Sequence, residues 1–120
     1  LQPGKKYFIR AIATNSLGTT VSDTTSFSTI ITKPEVHTDT VIREGFGIFR
    51  IEGRLLSDNG APVIETGFCW QVNDTPLIEN NRLPVSINDS LLMASLKDFP
   101  INTTIFIRSY ATNEKGIGYG

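Results

Sequence analysis

Apolar and polar residues alternate with a period of two through most of this chain. In YFIRAIATN, Tyr7, Ile9, Ala11 and Ala13 fall on one side, and Phe8, Arg10, Ile12 and Thr14 on the other. Asn15-Ser16-Leu17-Gly18 follows as a turn, because Asn and Gly accept left-handed dihedrals. A Thr- and Ser-rich stretch to Ile31 reads as a half-exposed edge strand, closed by the stiff Lys33-Pro34 step. Further strands are predicted at Pro34 to Val41, and at Gly47 to Leu55 with Phe49, Ile51, Gly53 and Leu55 on one face. After the Ser57-Asp58-Asn59-Gly60 turn comes a strand over Val63 to Val72, with Phe68 and Trp70 inward. Asn73 to Pro84 is polar and interrupted by two prolines, which predicts a loop holding at most a short strand. Ser90 to Leu96 places Leu92, Ala94 and Leu96 together. No comparable stretch carries a helical period.

The chain then repeats itself. FIRAIATNSLG at 8 to 18 becomes FIRSYATNEKG at 106 to 116, with seven of eleven residues identical and an offset of 98 (106 minus 8). Short strands about ten residues apart, with a near-copy one sandwich length away, predict an all-β fold of stacked modules.

LQPGKKYFIRAIATNSLG resembles the corner, strand F and following turn of fibronectin type III-like domains. The resemblance rests on Leu1, Pro3, Tyr7, Ile9, Ala11, Ala13, Asn15 and Gly18. LLSDNGAPVIETGFCW resembles a version of that domain repeated in bacterial surface and secreted proteins. The resemblance implies an immunoglobulin-like/fibronectin type III-like β-sandwich in tandem repeat. Residues 1–32 would be the last two strands of one repeat plus a linker. Residues 33–120 would be the next repeat, strands A to F, with its final strand missing. On that reading the chain is a window on a longer polypeptide, or its open ends are completed by neighbouring chains. In the second repeat Ile105 replaces Tyr7, so no tyrosine corner is expected there. Phe99 and Ile105 are expected to hold that corner by apolar packing. The same resemblance implies O-glycosylation at Asp-Ser/Thr triplets, which makes Thr24, Thr40 and Ser90 candidate sites.

Composition narrows the chemistry. Eleven basic and twelve acidic residues give a net charge of −1, which removes the electrostatic reason to expect nucleic acid. Uninterrupted apolar runs are only a few residues long, against the ~20 that a membrane span requires. The single cysteine, Cys69, and single histidine, His37, allow neither a disulfide nor a Cys/His zinc site. GFCWQ offers Cys69 no cationic neighbour, so it reads as a small buried hydrophobe. No catalytic residue, metal site or cofactor is expected. Phe8, Phe106 and Tyr110 fall on the outward face, where a neighbouring element, a sugar or a partner could cover them.

These features lead to an expected role as a non-catalytic extracellular or cell-surface module, a structural spacer in a larger bacterial protein. Its expected partners are neighbouring domains of the same chain, with other proteins or glycans as further candidates. One alternative is an adhesin or carbohydrate-binding module using loops 57–62 and 73–84. Another is a subunit completed by strand exchange between chains.

Overall fold

The computed structural model describes residues 1–120 and contains eleven strands and no helix. The first four form one long hairpin. β1 (Lys6–Ile9) pairs antiparallel with β4 (Thr25–Ser28), and β2 (Ile12–Asn15) with β3 (Gly18–Val21). Between the two ladders the register slips by one residue at Ser22–Thr24, a bulge that bends the ribbon. Nearly every hairpin residue is exposed, because two strands alone have no second layer to pack against.

The remaining strands build a two-layer sandwich. One sheet has the order β5 (Glu35–Gly45), β6 (Ile48–Ser57), β9 (Leu91–Leu96). The other has the order β11 (Gly116–Tyr119), β10 (Ile105–Asn113), β7 (Glu65–Val72), β8 (Asn81–Pro84). Each neighbouring pair is antiparallel. This strand order, three against four with the third strand crossing between layers, is that of an immunoglobulin-like β-sandwich of the fibronectin type III kind. Ile51, Phe68, Leu92 and Leu96 form the buried centre, flanked by Leu55, Trp70, Ala94, Phe99 and Ile107. These are the inward positions of the period-two pattern on β6, β7, β9 and β10.

One detail differs from the sequence reading. The sandwich was expected to stop before its last strand, yet Asn113–Gly116 turns the chain back and β11 pairs with Tyr110–Asn113. Asn113 Oδ1 accepts the Lys115 N–H at 2.8 Å, and Gly116 supplies a φ of 131°, so a tight turn returns the backbone to the sheet edge. Of the three outward aromatics, Tyr110 is fully buried under neighbouring elements, as expected, whereas Phe8 and Phe106 remain 68% and 48% exposed. Opposite Tyr110 in the register stands Gly67, at a point where a Cβ would overlap the Leu83 carbonyl of β8. That close approach draws β8 tight against β7 and helps to cover the ring.

The corner before β10 contains no tyrosine. Tyr110 donates to Glu65 Oε1 at 2.7 Å, and the Tyr119 hydroxyl accepts the Ile78 N–H at 3.3 Å. Phe99 instead packs on Phe49 and Trp70, at 5.7 and 6.1 Å between ring centres. In the hairpin, by contrast, the Tyr7 hydroxyl accepts the Gln2 N–H at 2.7 Å.

The molecule measures 78 × 26 × 24 Å, with a radius of gyration of 21.7 Å. A compact chain of this length would have roughly 14 Å. The hairpin projects from the sandwich end and accounts for the difference.

Candidate functional site

Three places have defined geometry: the joint between hairpin and sandwich, an open seam at the far end of the sandwich, and the covered outer face of β7 and β10.

The joint is built from backbone carbonyls gathered by two asparagines. Asn113, 3% exposed, donates from Nδ2 to the Thr32 carbonyl at 2.8 Å and to the Asp58 carbonyl at 3.0 Å. Asn59 donates from Nδ2 to the Lys33 carbonyl at 2.7 Å, and its own carbonyl accepts the Thr32 N–H at 3.3 Å. The left-handed φ of 52° at Asn59 aims these groups at the linker, within the turn predicted from Ser57-Asp58-Asn59-Gly60. Gly60 lies against Pro3 and Gly4, so close that a Cβ on either glycine would press on the other segment. The linker is therefore held on both sides. Lys33-Pro34 stiffness was legible in the sequence. The bonding role of Asn113 was missed, since the repeated motif accounts only for its turn-forming Oδ1.

The seam lies between β5 and β10. It is a cavity of about 530 Å³ whose walls include Val41, Phe49, Phe99, Ile101, Ile105 and Ile107. β10 is paired with β7 from Ile105 to Thr112, but its other edge is paired with β11 only from Tyr110 to Asn113.

A third cluster covers the outer face of β7 and β10. Arg108 donates from Nε to the Pro76 carbonyl at 2.7 Å and lies 3.8 Å above the Tyr119 ring. This clamps loop 73–80 over Cys69, which is fully buried. Burial pushes the Cys69 thiol above its ordinary value, and the nearby Arg108 guanidinium pulls the other way without winning. The cation absent from GFCWQ thus arrives from across the sheet, through the Arg108–Cys69 pairing. Tyr110 is likewise raised, by burial first and then by the Glu65 carboxylate.

His37 is exposed on β5, with Nδ1 2.9 Å from Asp39 Oδ1. Arg54 donates to both Asp39 oxygens at 2.9 Å. Hydrogen bonds from Arg54, and next from His37, hold the Asp39 carboxyl below its ordinary range. The cluster is a solvent-facing ion-pair set with no nucleophile attached. No group of three or more His, Cys, Asp or Glu side chains gathers in a metal-holding arrangement. No helix is long and apolar enough to cross a membrane.

Thr24, Thr40 and Ser90 are all exposed and lie far apart along the chain, only Thr40 within a strand. Thr24 sits in the hairpin bulge. Thr40 lies on β5, its Oγ1 3.5 Å from Glu52 Oε2. Ser90 has a left-handed φ of 68°, and its carbonyl accepts the Leu55 N–H at 2.8 Å.

No family model matches the sequence, and no curated protein matches it. Among solved structures, the crystal structure of domains A168-A170 from titin aligns over 96% of this chain, at 15% identity and a TM-score of 0.41. The chain spans 37% of the length of that structure. The fold assignment rests on the strand order above.

Proposed function

We propose that this chain is a non-catalytic spacer: parts of two tandem fibronectin type III-like modules in a larger secreted or cell-surface bacterial protein. On this reading residues 1–32 belong to one module and its linker, and residues 33–120 to the next. The observation that carries the proposal is the joint. Asn113 and Asn59 bond three linker backbone groups and the 58–60 turn, so the two segments stand end to end along a 78 Å axis. A spacer must keep its length under thermal motion, and a hydrogen-bonded linker does so where a free one would coil.

The adhesin or carbohydrate-binding alternative relied on loops 57–62 and 73–84. The first is engaged by the linker and the second is clamped by Arg108, so both have less freedom to form a recognition surface. Small-angle scattering of the chain tests the spacer reading directly. A profile matching a rigid rod with the 21.7 Å radius of gyration supports it. A profile requiring many hairpin orientations, or saturable binding on a glycan or matrix array, overturns it.

A further inference from the structure

The turn at the joint contains the chain's one Asn-Gly step, Asn59-Gly60. The other seven asparagines precede Ser, Asp, Asn, Arg, Thr or Glu. A glycine after asparagine leaves the peptide nitrogen unhindered by a side chain, so that nitrogen can reach the asparagine's own Cγ. The surroundings turn this local property into a site. Gly60 N–H donates to Asp58 Oδ1 at 3.0 Å, so a carboxylate base already holds the proton that must leave. Asn59 Nδ2 donates to the Lys33 carbonyl at 2.7 Å, and Asn59 N–H donates to Ser57 Oγ at 3.0 Å, which fixes both the side chain and the backbone of the residue. Asp58 and Gly60 are exposed and Asn59 is half-buried, so water reaches the turn.

We infer that Asn59 is a self-modification site, where Gly60 closes a succinimide ring and hydrolysis leaves aspartate or isoaspartate in the joint. The Gly60 N–H proton passes to Asp58 Oδ1 as the Gly60 nitrogen bonds to Asn59 Cγ. The Cγ–Nδ2 bond breaks, and Nδ2 leaves as ammonia carrying that proton. Water then opens the ring. Cleavage of the new Cγ–N bond gives aspartate, and cleavage of the original Asn59 C–N bond gives isoaspartate, with the main chain routed through Cβ and Cγ. Either product loses the amide donor and gains one negative charge. In the aspartate form a carboxylate oxygen faces the Lys33 carbonyl, acceptor against acceptor, next to the Asp58 carboxylate. Isoaspartate lengthens the backbone where Gly60 lies against Pro3, and it displaces the carbonyl that accepts the Thr32 N–H. The joint therefore loosens with age and needs no enzyme to do so. The inference rests on the geometry of the joint, whatever role the module plays.

The test ages the full chain at physiological temperature and mildly alkaline pH, and tandem mass spectrometry of its peptides locates each gain of one dalton. Asn59 converts at least about tenfold faster than any other asparagine. Asp58→Asn keeps an acceptor oxygen beside the Gly60 N–H but removes the base, and it slows the conversion by at least about fivefold. The aged species, one negative charge richer, is separated by anion exchange. Its small-angle scattering requires more hairpin orientations than that of the fresh chain, and Asn59→Asp reproduces the change without ageing. Conversion of Asn59 no faster than that of the other asparagines, a measurement that needs no variant, overturns the site. An unchanged rate in Asp58→Asn overturns it as well. A scattering profile unaltered in both the aged species and Asn59→Asp overturns the effect on the joint.

Discussion

Replacing Asn113 with Ala removes the joint's central contact without altering a strand. The side chain is 3% exposed and makes three hydrogen bonds: to the Thr32 carbonyl, to the Asp58 carbonyl and from the Lys115 N–H. The Lys115 N–H stands at an exposed turn, where water replaces its partner at little cost. The two carbonyls lie in the joint, and each buried bond lost costs about 1–1.5 kcal/mol, so the expected loss is about 2–3 kcal/mol. Against a typical total of ~5–15 kcal/mol this is large, and the urea midpoint should fall by about 1–2 M. Asn113→Asp is expected to be worse, since it sets an acceptor against two carbonyls while keeping the turn. Urea unfolding followed by Trp70 fluorescence gives the energy, and small-angle scattering gives the geometry. Both variants should broaden the distribution of end-to-end lengths. An Asn113→Ala protein with an unchanged midpoint and an unchanged scattering profile refutes the reasoning, because the linker would then be held by something else.

Other perturbations address the core and the covered face. Phe68→Ala empties the centre of the sandwich and should cost about 3–5 kcal/mol in the same urea assay. The raised Tyr110 phenol binds its proton more tightly folded than unfolded, so its contribution is complete below the ordinary value of 10.0 and lost as pH rises beyond it. Stability measured from pH 8 to 12 should therefore decline at the alkaline end, and Tyr110→Phe should flatten that decline while costing about 1 kcal/mol at neutral pH. Arg108→Ala releases loop 73–80, and the rate at which a thiol reagent modifies Cys69 should rise by at least about tenfold as the loop opens. An unchanged modification rate would mean that the loop is held without the arginine.

Much of the fold was legible because strand periodicity is a local property. The alternation at Phe49, Ile51, Gly53 and Leu55, and at Leu92, Ala94 and Leu96, places those residues on the face that the structure packs inward. The short strand inside 73–84 was also within reach, and β8 occupies Asn81–Pro84. Positions whose environment comes from distant chain were not legible. Tyr110 sits on the outward face by parity, and only the approach of β8, loop 73–80 and Glu65 buries it. Cys69 has no cation within GFCWQ, and register alone brings Arg108 opposite.

The sequence by itself determined the all-β class, the strand faces and the 98-residue repeat, since each depends on residues near one another or on direct self-comparison. The tertiary structure decided which repeated positions do the same work. Asn15 and Asn113 occupy the same motif position and both accept a turn N–H, yet only Asn113 also donates to the Thr32 and Asp58 carbonyls. Tyr7 and Ile105 are equivalent too, yet one is stacked under Phe27 while the other lines an open seam. Pattern fixes where a side chain points. What it meets there depends on segments tens of residues away, brought close only when the layers pack.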